Sequence, residues 1–206
     1  MGIFTSISFL TTSELIKLFV NLEANTRKKM IRLLLLLIPF VSFGQDYLPK
    51  SNREIINHTY YSLSYSEKHE QAEWVYYKLT PQMINGNIER TDDFRSDPYV
   101  RTGSASKSDY YKSGYDRGHL APAGDMKISQ KAMSESFYRS KMSPQTPSFN
   151  RDGWKNLESL IRSWVIAERE IHIITGGIFQ NKLGRIGTNE VTIQAITTRL
   201  FTATIK

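Results

Sequence analysis

A stripe of apolar residues at helical spacing, lying between two strand-like segments, is the feature that most narrows the fold of this chain. Its members follow the order i, i+3, i+7, i+10 and i+11, which places them on one face of an α-helix. They are Trp154, Leu157, Ile161, Trp164 and Val165. The aromatic and β-branched segments Glu73–Thr80 and Glu170–Phe179 predict strands, the second of them buried and ending at Gly176–Gly177. Strands, a helix and long loops in this order predict an α+β fold.

The other segments carry weaker signals. The polar, tyrosine-rich residues 45–69 are interpreted as an extended arm, and the turn-rich residues 81–114 as a long irregular surface segment. Gln130–Tyr138 predicts a short helix, and Glu190–Lys206 predicts a strand or a hairpin. A chain of 206 residues without internal repeats suits one domain with room for a core.

The segment GYDRGHLAP, Gly114–Pro122, places an imidazole beside a guanidinium. His119 has an ordinary pKa near 6.5, which allows it to act as a base at neutral pH. If the segment is extended, Arg117 points to the same face, and arginine can bind a phosphate with two parallel hydrogen bonds. The alternative is a surface turn, in which Arg117 is solvated or pairs with Asp116.

The predicted helix carries two further candidates. Glu158 and Arg162 are four residues apart and lie on one flank of the helix, where they would also form an ordinary surface ion pair. Asn150 precedes the helix in FNRDGW, where asparagine is also a common turn or capping residue. The sequence has no cluster of histidines, carboxylates or cysteines, so a metal here would have few protein ligands and several waters. That coordination suits Mg²⁺.

The overall charge narrows the function classes. A formal net charge of +7 favours polyanionic partners such as nucleic acid or an anionic membrane, although many proteins are mildly basic. The absence of cysteine excludes disulfides, thiolate metal sites and cysteine nucleophiles.

Several ordered blocks of the chain resemble the DNA/RNA non-specific endonuclease family. The blocks are DYYKSGYDRGHLAPAGDM, SPQ, FNRDGWKNLE and IITGGIF, and the similarity spans roughly residues 90–190. The resemblance implies a His-Me finger, also called a ββα-metal fold, with a mostly antiparallel central sheet flanked by helices. It also implies hydrolysis of phosphodiester bonds in DNA and RNA, with contacts mainly to the nucleic-acid backbone.

The resemblance also implies residue roles. His119 would be the general base that activates water, and Asn150 the direct ligand of one Mg²⁺, with Mn²⁺ as the second candidate metal. Glu158 would hold the water shell of the metal, while Arg117 and Arg162 would lie near the phosphate. The products would carry 5′-phosphates.

Two departures from the family pattern bear on activity. Lys141 stands where the family has an active-site asparagine, and Arg139 stands where an apolar residue is usual. A charged lysine beside the metal predicts that Lys141→Asn raises activity. The final segment QAITTRLFTATIK is also off pattern, so the sequence predicts a nuclease domain over 45–206 that lacks the usual C-terminal end. The alternative function is a catalytically impaired nucleic-acid-binding protein of the same fold.

The N-terminal segment predicts export. Basic residues from Arg27 to Arg32 precede the apolar stretch Leu33–Phe43 and the small residue Gly44, which is the order of a secretory signal. We interpret residues 1–44 as a leader followed by a signal peptide, and we expect the natural start of the protein to be Met30. We expect a secreted or periplasmic protein. Because the stretch is shorter than the ~20 residues of a membrane span, an uncleaved membrane anchor is the alternative rather than the expectation.

Overall fold

The computed structural model describes residues 48–179 and 183–203, with side chains up to Gln194. The predicted leader and signal peptide lie outside the described residues, and so do the last three residues of the chain. Within the described part, no helix combines the length and the apolar character needed to cross a membrane.

Nine strands and four α-helices lie within the described residues. The strands are β1 (Ile55–Asn57), β2 (Ser62–Ser66), β3 (Gln71–Leu79), β4 (Asp116–His119), β5 (Met142–Gln145), β6 (Ile171–Phe179), β7 (Arg185–Ile186), β8 (Val191–Thr192) and β9 (Gln194–Ala203). The helices are α1 (Pro81–Ile84), α2 (Lys107–Tyr110), α3 (Gln130–Glu135) and α4 (Lys155–Glu168). The predicted α+β class is confirmed.

An antiparallel sheet of five strands forms the centre of the fold. The strands lie in the order β1-β2-β3-β6-β9, and each neighbouring pair is antiparallel. β3 and β6 match the two strands that the sequence predicts, although β6 continues through Gly176 and Gly177 to Phe179. A side chain at Gly176 would collide with the backbone oxygen of Glu73 on β3. The two glycines therefore permit close approach of the neighbouring chain rather than ending the strand.

Helix α4 packs its apolar stripe against this sheet. Ile161 and Val165 are fully buried in one cluster with strand residues such as Val75 and Ile173, and Leu157 and Trp164 pack against it in part. Burying an aliphatic side chain of this size contributes about 1.5–3 kcal/mol. The helical periodicity in the sequence thus correctly predicts both the helix and its buried face.

The tyrosine-rich N-terminal segment is not an extended arm. Residues Ile55–Asn57 and Ser62–Ser66 form an antiparallel hairpin that adds two strands to the sheet. Tyr61, Leu63 and Tyr65 alternate along the chain and are buried in the core. The period-2 alternation, hidden among polar residues, is what places this segment in the sheet.

A second antiparallel pair carries the DRGH segment. β4 pairs with β5 so that His119 lies opposite Met142, and the chain then enters α4 through the π-helical turn Phe149–Trp154. The indole nitrogen Nε1 of Trp154 donates a hydrogen bond of 3.2 Å to the backbone oxygen of His119. This bond fixes the start of the helix against the end of β4, giving a ββα arrangement.

Candidate active site

His119 lies at the end of β4, against two aromatic rings. Its imidazole is edge-on to Phe94 and Phe137, with ring centroids 5.7 Å and 5.4 Å away. Burial lowers the pKa of His119 well below its ordinary value of 6.5, and the charges of Lys141 and Arg90 lower it further. A hydrogen bond to the backbone of Arg117 opposes this shift without cancelling it. The imidazole is therefore neutral at neutral pH.

The second ring nitrogen of His119, Nε2, carries the lone pair of the neutral imidazole. Nε2 is buried and has no hydrogen-bond partner among the described residues. A neutral imidazole has one N–H and one lone pair, and the backbone bond to Arg117 uses the N–H. The lone pair on Nε2 is then able to accept a proton.

Arg117 does not pair with its neighbour Asp116. Its guanidinium lies over the ring of Phe94, with Cζ 4.1 Å from the ring centroid, and it forms no ion pair with any residue that the structure describes. Phe94 thus contacts both Arg117 and His119, as expected if alternate residues of β4 share one face. Arg117 and Phe94 also line a cavity of about 330 Å³ together with Arg139, Lys107 and Asp92.

Asn150 lies in the π-helical turn, and its amide has a fixed orientation. Its Nδ2 donates a hydrogen bond of 3.1 Å to Oδ2 of Asp116. Two further hydrogen bonds of 2.8 Å from Arg151 hold the same carboxylate, and they lower the pKa of Asp116 below its usual range. An ionised carboxylate only accepts hydrogen bonds, so the amide nitrogen must face Asp116. The carbonyl oxygen Oδ1 of Asn150 is then the atom left to coordinate a cation.

Lys141 is fully buried between β4 and the central sheet. Its Nζ donates a hydrogen bond of 2.7 Å to the backbone oxygen of Ala121 and lies 5.4 Å from the ring centroid of Tyr61. Burial lowers the pKa of Lys141 to about 7, although the nearby charge of Glu158 opposes the shift. The expectation that Lys141 is fully charged at neutral pH does not hold, because burial of its side chain lowers the pKa. The half-buried Glu158 on α4 is its strongest electrostatic partner.

Arg162 is held by a partner that the sequence analysis did not identify. Its Nη1 donates a hydrogen bond of 2.9 Å to Asp125, and its Nη2 donates to Ser159. The hydroxyl of Tyr77 donates to the other oxygen of Asp125, which is almost fully buried. The surface pair between Glu158 and Arg162 is therefore not the arrangement of this arginine, which is fixed through Asp125 to the central sheet.

Besides Asp125, three further residues near His119 were not predicted from the sequence. Arg90 and Phe94 come from the segment interpreted as irregular surface, yet both act on His119. Phe137 follows α3 and contacts both the imidazole and the ring of Phe94. The spacing of charged and aromatic residues in a loop predicts no contact, so only the folded chain brings these side chains to the site.

The chain is similar to known nucleases in both sequence and fold. The sequence profile described as DNA/RNA non-specific endonuclease matches residues 42–197. Human mitochondrial endonuclease G is 38% identical over 138 residues, covering 66% of this chain and 46% of that protein. A nuclease from Nostoc is 36% identical over 142 residues, 68% of this chain and 51% of that protein.

A solved structure of the EndoG/EndoGI complex, described as showing the mechanism of EndoG inhibition, has a TM-score of 0.69 and 29% identity to this chain. The match covers 76% of this chain and 69% of that one. This chain spans about half the length of the curated relatives it matches. The match of the family profile over most of the sequence shows that the chain belongs to the DNA/RNA non-specific endonuclease family.

Proposed function

We propose that this chain is a metal-dependent endonuclease that hydrolyses the phosphodiester bonds of DNA and RNA without sequence preference. The observation that carries the proposal is the neutral, enclosed His119, whose Nε2 has no partner among the described residues and which lies beside a cavity with three basic side chains. Family membership supports the nuclease chemistry.

In this proposal His119 is the general base. Its Nε2 accepts a proton from the attacking water, while the bond to the Arg117 backbone holds the ring in the required tautomer. Contacts with Phe94 and Phe137 restrict the orientation of the imidazole ring, so little reorganisation accompanies proton transfer. The proposed products carry 5′-phosphates.

The residues around Asn150 fit a hard divalent cation. Asn150 offers the carbonyl oxygen Oδ1 and Glu158 a carboxylate, both oxygen ligands of the kind that Mg²⁺ prefers. Among the side chains that the structure describes, no group of three or more His, Cys, Asp or Glu could hold a metal ion. As the family resemblance implies, Asn150 would bind Mg²⁺ or Mn²⁺ directly and Glu158 through water. The bound ion would supply charge neutralisation at the leaving 3′-oxygen.

The two arginines would contribute differently to phosphate binding. Arg117 forms no ion pair with described residues and is able to donate parallel hydrogen bonds to a phosphate. Arg162 already donates to Asp125, so it would act on the phosphate through its fixed charge. Its side chain is 25% exposed.

A direct assay tests the function. The purified protein is incubated with plasmid DNA and with RNA, each with Mg²⁺, with Mn²⁺ or with a chelator. We expect cleavage of both polymers that the chelator abolishes. The fragments should accept label from a polynucleotide kinase only after phosphatase treatment, because their 5′ ends carry phosphate. Retention of both polymers uncut, with binding, would instead favour the impaired nucleic-acid-binding protein, for which the buried Lys141 beside His119 is the specific argument.

Replacing Asn150 with alanine is expected to raise the Mg²⁺ concentration needed for half-maximal activity on the order of 10–100-fold, since even residues that only orient metal ligands have effects of this size. A titration of activity with Mg²⁺ measures the change. Asn156→Ala is the matched control, because Asn156 is an exposed asparagine on the first turn of α4. Equal half-saturation in the Asn150 variant and the control would remove Asn150 from the metal site.

We also propose that the protein is exported. The basic, apolar and small-residue order over residues 27–44 supports a cleaved signal, so the mature protein should begin near Gln45. N-terminal sequencing of protein recovered from the cell exterior or the periplasm measures this. Recovery of an intact Leu33–Phe43 segment in the membrane fraction would instead indicate an anchor.

A further inference from the structure

The basic cavity beside β4 contains an arginine whose charge lacks a carboxylate partner. Arg139 is 5% exposed and forms no ion pair with any residue that the structure describes. One of its nitrogens, Nη2, donates a hydrogen bond of 2.8 Å to the backbone oxygen of Phe94. Its Nε is buried and has no hydrogen-bond partner among the described residues. An unpartnered donor in a buried guanidinium is costly unless a ligand accepts from it.

The surroundings of Arg139 are predominantly positive. Arg117 lies close enough that its charge, together with burial, lowers the pKa of Arg139, while Tyr110 and Asp109 oppose the shift. The exposed Lys107 and Asp92 complete the lining of the cavity. Asp92 pairs with Arg90 at 2.7 Å, and Asp109 is held by Ser106 and Asn189, so both nearby carboxylates already have partners. An anion would offset the repulsion between the two guanidiniums.

The cavity adjoins the candidate base without containing it. Phe94 forms part of its wall and is edge-on to His119, and Arg117 lines it from the same strand as His119. A nucleic-acid strand whose scissile phosphate lies at His119 has a neighbouring phosphate on each side, and the shared contact with Phe94 puts the cavity next to His119. We propose that Arg139 and Lys107 form a second phosphate subsite, adjoining Arg117, that binds the backbone phosphate next to the scissile one. This inference rests on the proposed nuclease function.

Two substrates separate the subsite from the reaction centre. The first is a chromogenic nucleotide diester with one phosphodiester group, which cannot occupy a neighbouring subsite. The second is a single-stranded oligonucleotide of twelve residues. The measured quantity is the ratio of kcat/KM for the oligonucleotide to kcat/KM for the short diester, in each variant. If the wild-type protein cleaves neither substrate, the nuclease function itself is rejected. If only the subsite proposal is wrong, the wild-type protein still cleaves the substrates.

The variants are Arg139→Leu, Arg139→Lys and Lys107→Ala. Leucine fills much of the space of the arginine stem without its charge, and lysine retains the charge. Lys107 is exposed, so its replacement does not disturb the core. Lys68→Ala is the control, because Lys68 is an exposed lysine on the turn between β2 and β3. Its replacement lowers the net charge by the same amount as Lys107→Ala. Circular dichroism establishes that each variant is folded. If Arg139→Leu is unfolded, Lys107→Ala and Arg139→Lys decide the outcome.

We expect the ratio to fall about tenfold in Arg139→Leu and several-fold in Lys107→Ala, as for the loss of a charged hydrogen bond, with Lys68→Ala unchanged. Arg139→Lys should recover part of the loss. The slope of log(kcat/KM) for the oligonucleotide against log[salt] should shrink by about 0.7 per lost phosphate contact. An unchanged ratio in Arg139→Leu and Lys107→Ala would overturn the subsite.

Inorganic phosphate distinguishes a substrate subsite from a site for free anions. In the proposal, phosphate inhibits oligonucleotide cleavage competitively, and Arg139→Leu weakens both phosphate inhibition and oligonucleotide binding. Weakened phosphate inhibition with unaltered oligonucleotide kinetics would show a free-anion site and would reject the subsite.

Discussion

Replacing His119 with alanine is expected to lower the rate of DNA and RNA cleavage by about 10²–10⁴-fold, while binding of nucleic acid is retained. The reason is that Nε2 of this buried, neutral imidazole is the proposed proton acceptor, and among the described residues it has no competing partner. Turnover of plasmid and RNA measures the rate, and a filter or polarisation assay without metal measures binding.

Two controls separate catalysis from folding in this variant. The ring of His119 packs against both Phe94 and Phe137, so its removal also leaves a small cavity. Added imidazole should restore part of the activity of His119→Ala if the missing function is proton transfer. His172→Ala removes another mostly buried imidazole, which bonds to Tyr76 on the central sheet, and should keep wild-type activity. Wild-type activity in His119→Ala would show that this residue is not the base.

The pH dependence of wild-type activity also tests the role of His119 as the base. A base must be neutral to accept a proton, and burial together with two nearby cations holds the pKa of His119 below 6.5. Activity should therefore persist at pH values where an ordinary histidine is already protonated, with the acid limb of kcat/KM well below pH 6.5.

The periodic parts of this fold were predictable from the sequence, because their signals are local. The stripe of Ile161 and Val165 specifies a helix and its buried face, and the β-branched run of β6 specifies a buried strand. The DRGH segment predicts the shared face of Arg117 and His119, which β4 confirms. These features depend on the period of the chain and not on which partner covers it.

The electrostatic character of the site was not predictable in the same way. The alternative for Arg162 was an ion pair with Glu158 on its own helix, but its carboxylate partner is Asp125, 37 residues earlier in the chain. The charge of Lys141 depends on complete burial against Ala121 and Tyr61, which no local pattern reveals. Burial and long-range partners are properties of the packed chain, and they decide the pKa of a side chain.

Replacing Lys141 with methionine is expected to stabilise the fold at neutral pH. The pKa of Lys141 is about 7 in the fold, against 10.5 as its ordinary value. Keeping this proton-binding group buried therefore costs about 4 kcal/mol at pH 7 and about 2 kcal/mol at pH 9. Methionine removes that cost but leaves the backbone oxygen of Ala121 without its donor, which costs about 1–3 kcal/mol. The variant should be more stable at pH 7 by about 1–3 kcal/mol.

The stability gained by Lys141→Met should depend on pH, and proton binding by Lys141 determines whether it grows or shrinks. Between pH 7 and pH 10.5 the unfolded chain binds the proton of Lys141 more tightly than the folded chain, so wild-type stability rises with pH in this window. Methionine does not titrate. The difference in the free energy of unfolding between variant and wild type should shrink by about 2 kcal/mol from pH 7 to pH 9. Urea denaturation at both pH values measures it, and a constant difference would mean that Lys141 keeps an ordinary pKa.

Replacing Lys141 with methionine should also change the pKa of His119, so the same substitution affects both stability and catalysis. The charge of Lys141 lowers the pKa of His119, so its removal should raise that pKa and move the acid limb of the activity profile to higher pH. Lys141→Asn should move the limb in the same direction, because it is uncharged too, and should also raise activity at neutral pH if the charge opposes a cation near Glu158. Equal limbs in wild type and both variants would show that Lys141 is neutral throughout the working range. In that case its presence at this position would not impair the site, and the argument for a binding protein without activity would lose its support.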